Sequence, residues 1–187
     1  MVKALYLPTE VEISPARKDE AEAEIRDKQK TIDYNTVDYP VEIFVQMYTT
    51  GFTYDTKEVF IPDYHRKIVW DDITQSKFIE SVLLRLPILP IFVADITGEN
   101  NEEFLEIIDG VQRIHTLARF INNELKLENL EKLQKLNNFR FSDLPLPRQR
   151  HFKRTTLRTV RLNDQADEDT RKDIFERINN TQGKQSN

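Results

Sequence analysis

The sequence predicts an α+β fold in which helices surround a small mixed sheet. Two observations predict it. Short segments rich in apolar and β-branched residues are typical of strands, and they are Glu58–Ile61, Ile91–Ala94, Phe104–Ile108 and Thr156–Leu162. Longer segments with apolar residues at helical spacing lie between and after them. Because both kinds of segment are interleaved, we expect one α+β domain with helices packed around the sheet.

Four helices can be placed from these patterns. Asp71 or Asp72 is suited to cap a helix that runs to about Leu86, where Pro87 ends it. Its apolar stripe is Ile79, Val82, Leu83 and Leu86. A second helix covers Val111 to about Asn122, with the stripe Ile114, Leu117, Ala118 and Ile121. Pro147 suits the first turn of a third helix. The last helix is predicted over 168–179.

Several weaker patterns complete the prediction. The apolar segment 41–48 ends near Gly51, which fits a helix C-terminal cap. Leu125–Leu127 is expected to be a short strand, and residues 130–136 a weak helix. The strand segments that begin at Ile91 and Phe104 are expected to form a β-hairpin or adjacent strands.

Length and composition set the domain organisation and the compartment. The chain has 187 residues, and residues 9–31 are rich in Glu, Asp, Lys and Ala with few apolar residues. We therefore expect an acidic, solvent-exposed arm over 1–30 and one domain over 31–187. The chain has no cysteine, which excludes disulfides and thiolate chemistry. No apolar run approaches the roughly 20 residues that span a bilayer, so we expect a cytoplasmic protein without a membrane partner.

The charge of the chain is unevenly distributed. The net charge is −5, yet residues 131–161 contain nine Lys or Arg and only two acids. A basic stretch of this kind can bind the phosphates of a nucleic acid. The alternative is an ordinary solvated face. The residues predicted to contact nucleic acid are Arg148, Arg150, Lys153 and Arg154.

The sharpest local pattern is the run Ile107–Arg113. An apolar strand delivers Asp109 and Gly110 directly to the start of a helix, where unpaired N–H groups and the helix dipole favour an anion. Arg113 adds a planar fork of donors that matches phosphate oxygens. Gln112, the residue before it, can donate or accept a hydrogen bond at the same helix start. Asp109 can hold Arg113, ligate Mg²⁺ or contact a ribose hydroxyl. The alternative is an ordinary Asp-Gly turn followed by a solvated arginine.

Two further segments concentrate polar and aromatic residues. Residues 62–70 include Tyr64, His65, Arg66 and the only tryptophan, Trp70, which taken alone is best explained as a core residue. Residues 174–183 include Asn179 near the end of a helix, where it can contact a ligand or cap the helix.

These motifs, in this order, resemble the N-terminal domain of GmrSD-type restriction endonucleases, whose fold is similar to that of ParB and sulfiredoxin. The resemblance covers about residues 30–183 and has four parts: Tyr64–Trp70, Leu86–Pro90, Ile108–Arg113 and Phe175–Asn179. His65 stands where the family has Gln, and Val111 where Gln is frequent. Larger relatives continue into a His-Asn-His nuclease domain, but the three histidines here, His65, His115 and His151, form no such motif and no zinc spacing.

The resemblance implies nucleotide binding, with Mg²⁺ and a nucleoside triphosphate, in a system that targets invading or modified DNA. On this basis the predicted catalytic residues are Asp109, Gln112 and Arg113, and no metal site is expected from protein ligands alone. The predicted nucleotide contacts are Tyr64, His65, Arg66, Gly110, Thr116 and Asn179. The expected partners are a nucleotide, DNA, and a nuclease subunit or a second copy of the chain. The alternative function is a nucleic-acid-binding or nucleotide-sensing adaptor that does not hydrolyse its ligand.

Overall fold

The computed structural model describes residues 13–29, 33–53, 59–62, 69–98 and 103–182. Backbone contacts divide the chain into two units, Met1–Ile32 and Asp33–Asn187. The first unit contains helix α1 (Pro15–Gln29), in which every side chain is exposed. An ion pair between Arg26 Nε and Glu22 Oε1, 2.8 Å apart, links two successive turns of this helix. No helix in the described ranges is both long and apolar enough to cross a bilayer.

The second unit contains five strands and five helices among its described residues. The strands are β1 (Tyr34–Pro40), β2 (Val59–Phe60), β3 (Ile91–Thr97), β4 (Glu103–Asp109) and β5 (Thr156–Leu162). The helices are α2 (Val41–Thr53), α3 (Asp72–Leu83), α4 (Val111–Ile121), α5 (Leu146–Arg154) and α6 (Glu168–Gln182). Asp71 caps α3 by accepting a 2.8 Å hydrogen bond from the N–H of Thr74.

The strands form one mixed sheet in the order β1-β5-β3-β4-β2. Strand β5 pairs antiparallel with β1 and parallel with β3. Strand β4 pairs antiparallel with β3 and parallel with β2. This architecture confirms the predicted α+β class with a small mixed sheet. The pairing of β3 with β4 confirms that these two strands are adjacent, whereas edge strand β1 was not predicted.

Three local predictions were wrong. Gly51 lies within α2, which continues to Thr53, so it does not cap that helix. Leu125–Leu127 is irregular, because the backbone of Leu127 bonds only with Phe139 and Asn138 and no ladder develops. Only a 3₁₀ turn, Gln134–Leu136, occupies the segment expected to be a helix over 130–136.

The sheet separates two hydrophobic clusters of different size. On one face, side chains of β3, β4 and β5 pack with α2, α3, α4 and α5 in the main core. Phe120, Phe141 and Phe152 meet there edge to face, with ring centroids 5.4 to 5.8 Å apart. On the other face, α6 covers a smaller cluster of Ala94, Ile108, Leu162 and Ala166. Because side chains alternate along a strand, β4 contributes to both clusters. The strand ends at Asp109, two residues before the first residue of α4.

A buried carboxylate fixes the loop that follows α4. Glu80, on α3 and 6% exposed, accepts hydrogen bonds from the backbone N–H groups of Lys132 and Leu133 at 2.7 and 2.6 Å. The N–H of Glu131 donates to the same carboxylate at 3.3 Å. Burial disfavours the charged form, but these hydrogen bonds outweigh it, and the pKa of Glu80 lies below its ordinary value. Glu80 therefore contributes stability only while it is ionised.

Replacing this carboxylate is expected to give a pH-dependent loss of stability. Glu80→Gln should lower the free energy of unfolding at neutral pH by about 2 kcal/mol, because hydrogen bonds to a charged acceptor are the stronger kind. Since the folded-state pKa is depressed, the contribution of Glu80 is complete above the unfolded-state value of about 4.3 and is lost as the pH falls through the folded-state value. Urea unfolding from neutral pH to about pH 3 measures this. The exposed Glu128→Gln on the same loop serves as control, and a difference from wild type that stays constant with pH contradicts the prediction.

Candidate functional site

One cavity of about 550 Å³ is lined by residues from all four motifs that carry the family resemblance. Val69 and Trp70 come from the segment before α3, and Pro87, Ile88 and Leu89 follow that helix. The end of β4 and the start of α4 contribute a third group: Asp109, Gly110, Val111, Gln112 and Arg113. Helix α6 adds Phe175 and Asn179, and α3 adds Phe78 and Ser81. Segments far apart in the chain therefore converge on one concave surface.

Gly110 allows the turn from β4 into α4. It is the N-cap residue of α4 with φ 114°, a conformation that L side chains rarely adopt. A Cβ atom at this position would lie 2.5 Å from Ile91 Cδ1 and 3.3 Å from Arg113 Nη2. Gly110 provides no side-chain cap for the helix. Its carbonyl accepts the first hydrogen bond of the helix, at 3.0 Å, from the N–H of Ile114. The first turn of α4 thus meets the cavity with its positive dipole end.

Arg113 and Asp109, which both line the cavity, form a largely buried ion pair. Arg113 Nη2 lies 2.5 Å from Asp109 Oδ2, and the two side chains are 9% and 15% exposed. Burial lowers the pKa of Arg113, and the Asp109 carboxylate opposes this shift. An arginine remains charged at neutral pH, so the cavity lining includes a nearly buried cation, which is paired with Asp109. Of the roles open to Asp109, the one visible here is holding Arg113.

Gln112 faces the backbone of the neighbouring loop. Its Oε1 accepts hydrogen bonds from the N–H groups of Val69 at 3.1 Å and Trp70 at 3.3 Å. Its carbonyl accepts a 2.7 Å hydrogen bond from the hydroxyl of Thr116. Thr116 is fully buried within α4 and does not line the cavity. The structure thus brings Gln112 to the cavity and leaves Thr116 in the helix interior.

Of the other residues predicted to contact the ligand, Asn179 is the one whose position the structure describes. Asn179 lines the cavity, and its Nδ2 donates to the carbonyl of Phe175 at 2.9 Å. Tyr64, His65 and Arg66 lie outside the described residues. Their roles stay predictions.

The four basic residues predicted to contact nucleic acid do not share one face of α5. Successive residues turn by about 100° around a helix, so Arg150, Lys153 and Arg154 point to one side and Arg148 points to the opposite side. Lys153 Nζ lies 2.8 Å from Glu42 Oε1, while Arg148 lines a separate leucine-rich cavity. Their nucleic-acid contacts stay a prediction.

Sequence reasoning missed two residues that build the site. Gln75, 2% exposed on α3, donates from Nε2 to the carbonyl of Trp70 at 2.8 Å. The Phe78 ring lies 5.7 Å from that of Trp70 and lines the cavity beside it. Trp70 itself is half-buried and forms a wall of the cavity. A polar Gln one turn before the apolar stripe of α3 was the available signal for Gln75.

The fold and the cavity define an α+β domain with one motif-lined cleft at the start of a central helix. The chain belongs to the family described as the GmrSD restriction endonuclease, N-terminal domain, whose sequence model matches residues 41–187. This match confirms the resemblance drawn from the four motifs. It places the domain in the context of restriction and of defence against phage. No curated protein matches the chain. No solved structure matches it either.

Proposed function

We propose that the cavity binds a nucleoside triphosphate and that the domain is the nucleotide-dependent component of a DNA-targeting restriction system. The observation that carries this proposal is the position of the Arg113 guanidinium. It is nearly buried, and it lines the same cavity as the Gly110 helix start and the Trp70 side chain. A buried cation beside the positive end of a helix favours a multiply charged anion.

The lining of the cavity combines two kinds of surface, which supports a nucleotide over a simple anion. Asp109, Gly110, Arg113 and Asn179 offer charges and hydrogen bonds. Trp70, Phe78, Ile88, Leu89 and Phe175 form an apolar and partly aromatic surface. Aromatic side chains stack on any nucleobase, because every base has a π face. In this proposal the phosphates lie at Arg113 and the base lies against Trp70.

Mg²⁺ is compatible with this site only if the nucleotide supplies most of its ligands. The described residues contain no group of three or more His, Asp or Glu side chains that can hold a metal ion. Mg²⁺ in nucleotide sites is commonly bound through one or two carboxylates together with phosphate oxygens and water. Asp109 is the carboxylate that lines the cavity close to Arg113, so it would hold the ion. When bound, Mg²⁺ would neutralise phosphate charge.

Hydrolysis would use the same residues in defined roles. The Arg113 guanidinium would stabilise negative charge that develops on the terminal phosphate. Asp109, which pairs with Arg113, would orient a water molecule. Glu106, the nearest other carboxylate on β4, pairs with Arg171 at 3.1 Å and does not line the cavity. Arg66 is proposed as a second phosphate contact.

A thermal-shift screen tests the proposal directly. Nucleoside triphosphates, diphosphates and inorganic phosphate are added with and without Mg²⁺. A ligand present at about 100 times its dissociation constant is expected to stabilise the fold by about 2.7 kcal/mol. Phosphate release, measured in parallel, separates a hydrolase from the alternative, an adaptor that senses the nucleotide or binds nucleic acid without hydrolysis. If no nucleotide shifts the melting temperature, the proposed function is wrong.

A further inference from the structure

Two glutamine side chains hold Trp70, one of the aromatic residues that line the cavity. Gln112, on α4, accepts from the N–H groups of Val69 and Trp70 through one oxygen atom, at 3.1 and 3.3 Å. Gln75, on α3, donates to the carbonyl of Trp70 at 2.8 Å. The N–H and C=O groups of Trp70 are therefore bound by different helices.

The anchor on α3 is itself held in place. Arg119 Nη1 donates to Gln75 Oε1 at 2.8 Å and lies 2.6 Å from Asp72 Oδ1. Gln75 is almost completely buried, so its amide has a fixed orientation. Gln112, in contrast, is half-buried in the first turn of α4, one residue before Arg113.

This arrangement matters because the backbone around Trp70 belongs to no helix or strand. Residues 69–71 have no regular secondary structure. The backbone hydrogen bonds of a helix or a sheet therefore do not set the direction of the Trp70 side chain. The hydrogen bonds to Gln112 and Gln75 supply that constraint instead. They hold the indole against Phe78, with ring planes 56° apart, and on the surface of the cavity.

We propose that Gln112 is a positioning residue that fixes Trp70 as the stacking surface for the base of a bound nucleotide. This inference rests on the proposed function, and it assigns Gln112, which the resemblance predicts to be catalytic, a positioning role instead. Adjacent residues of the motif then act on different parts of the ligand. Arg113 contacts the phosphates, and Gln112 holds Trp70, on which the base stacks. The site would then bind a polyphosphate that carries an aromatic base more tightly than a polyphosphate alone.

The experiment uses the only tryptophan of the chain as its reporter. Acrylamide quenching of Trp70 fluorescence is measured for wild type, Gln112→Ala and Gln112→Glu. Gln149→Ala is the matched control, because Gln149 is also half-buried and donates to two carbonyls, of Ser142 at 3.2 Å and Leu144 at 2.8 Å. Affinity is then measured for a nucleoside triphosphate, ATP or GTP, and for inorganic tripolyphosphate, which has no base.

The proposal predicts a specific pattern across these variants. Quenching should rise in Gln112→Ala and stay at the wild-type value in Gln112→Glu, whose carboxylate still accepts from both N–H groups, and in Gln149→Ala. Gln112→Ala should bind the nucleoside triphosphate about tenfold more weakly, since base stacking is lost. The affinity of tripolyphosphate should be unchanged in that variant.

Two results overturn the inference. Wild-type quenching in Gln112→Ala shows that Gln112 does not position Trp70. An equal loss of affinity for the triphosphate and for tripolyphosphate shows that Gln112 contacts phosphate. Both are distinct from failure of the proposed function, in which the wild-type protein itself binds neither ATP nor GTP. In that case quenching alone decides the role of Gln112, and the base-stacking role is overturned with the proposed function.

Discussion

Replacing Arg113 by methionine is expected to weaken nucleoside triphosphate binding by at least about tenfold and to lower the free energy of unfolding by about 3 kcal/mol. The first effect follows from the loss of the nearly buried cation that lines the cavity. The second follows because Asp109, only 15% exposed, would lose its ion-pair partner. Isothermal titration with nucleotide and urea unfolding measure the two effects separately.

A paired substitution separates the structural role of this residue from its role in binding. In Asp109→Asn/Arg113→Met both charges are removed, and most of the lost stability should return, because breaking one half of a buried ion pair costs more than replacing both. Nucleotide affinity should not return. Arg113→Lys provides a third comparison, since it keeps the charge and loses the planar fork. Wild-type affinity in Arg113→Met would rule out a phosphate contact at this position.

Substituting alanine for Gly110 is the second change with a large expected effect. A φ of 114° costs an alanine roughly 2 kcal/mol, and the added Cβ would contact Ile91, which is 1% exposed and has little room to move. We expect a total loss of about 3 kcal/mol in the free energy of unfolding. Nucleotide affinity should also fall about tenfold, because the new methyl group lies 3.3 Å from Arg113 Nη2.

The steric part of this effect can be isolated with a second substitution. In Gly110→Ala/Ile91→Val the Cδ1 atom nearest to the new methyl group is removed, so the double variant should be about 1 kcal/mol more stable than the sum of the two single losses implies. Ile91→Val alone is the control for the loss of that methyl group from the core. Thermal unfolding with each of the three variants checks the prediction. A Gly110→Ala protein as stable as wild type would show that the turn tolerates a side chain.

Local patterns predicted the buried elements well and the exposed or irregular ones poorly. Strand β5 has the predicted bounds, because Leu157 and Thr159 are buried at alternate positions and the strand ends on the buried Leu162. Strand β1 lies at the edge of the sheet with mostly exposed side chains, so its sequence carries no apolar alternation. The segment 125–127 has buried leucines at alternate positions, which is a strand pattern, but its place in the core is set by tertiary contacts.

The site was predictable in part for the same reason. The position of Gly110 and Arg113 at a strand-to-helix turn follows from local sequence. The role of Gln112 does not, since its hydrogen bonds reach residues more than 40 positions away in the chain. Trp70 taken alone was expected in the core, and it forms a wall because Phe78 covers part of its ring and the cavity meets another part. Long-range contacts of this kind have no signal in a single segment.

Strand β4 forms ion pairs with two of the helices that line the cavity, α4 and α6. Its last residue, Asp109, pairs with Arg113 on α4, and three positions earlier Glu106 pairs with Arg171 on α6, where both side chains are largely buried. Helix α6 in turn supplies Phe175 and Asn179. Two ion pairs therefore couple β4 to both helices. A displacement of β4 along its own axis would move the cavity-lining residues of α4 and α6 together.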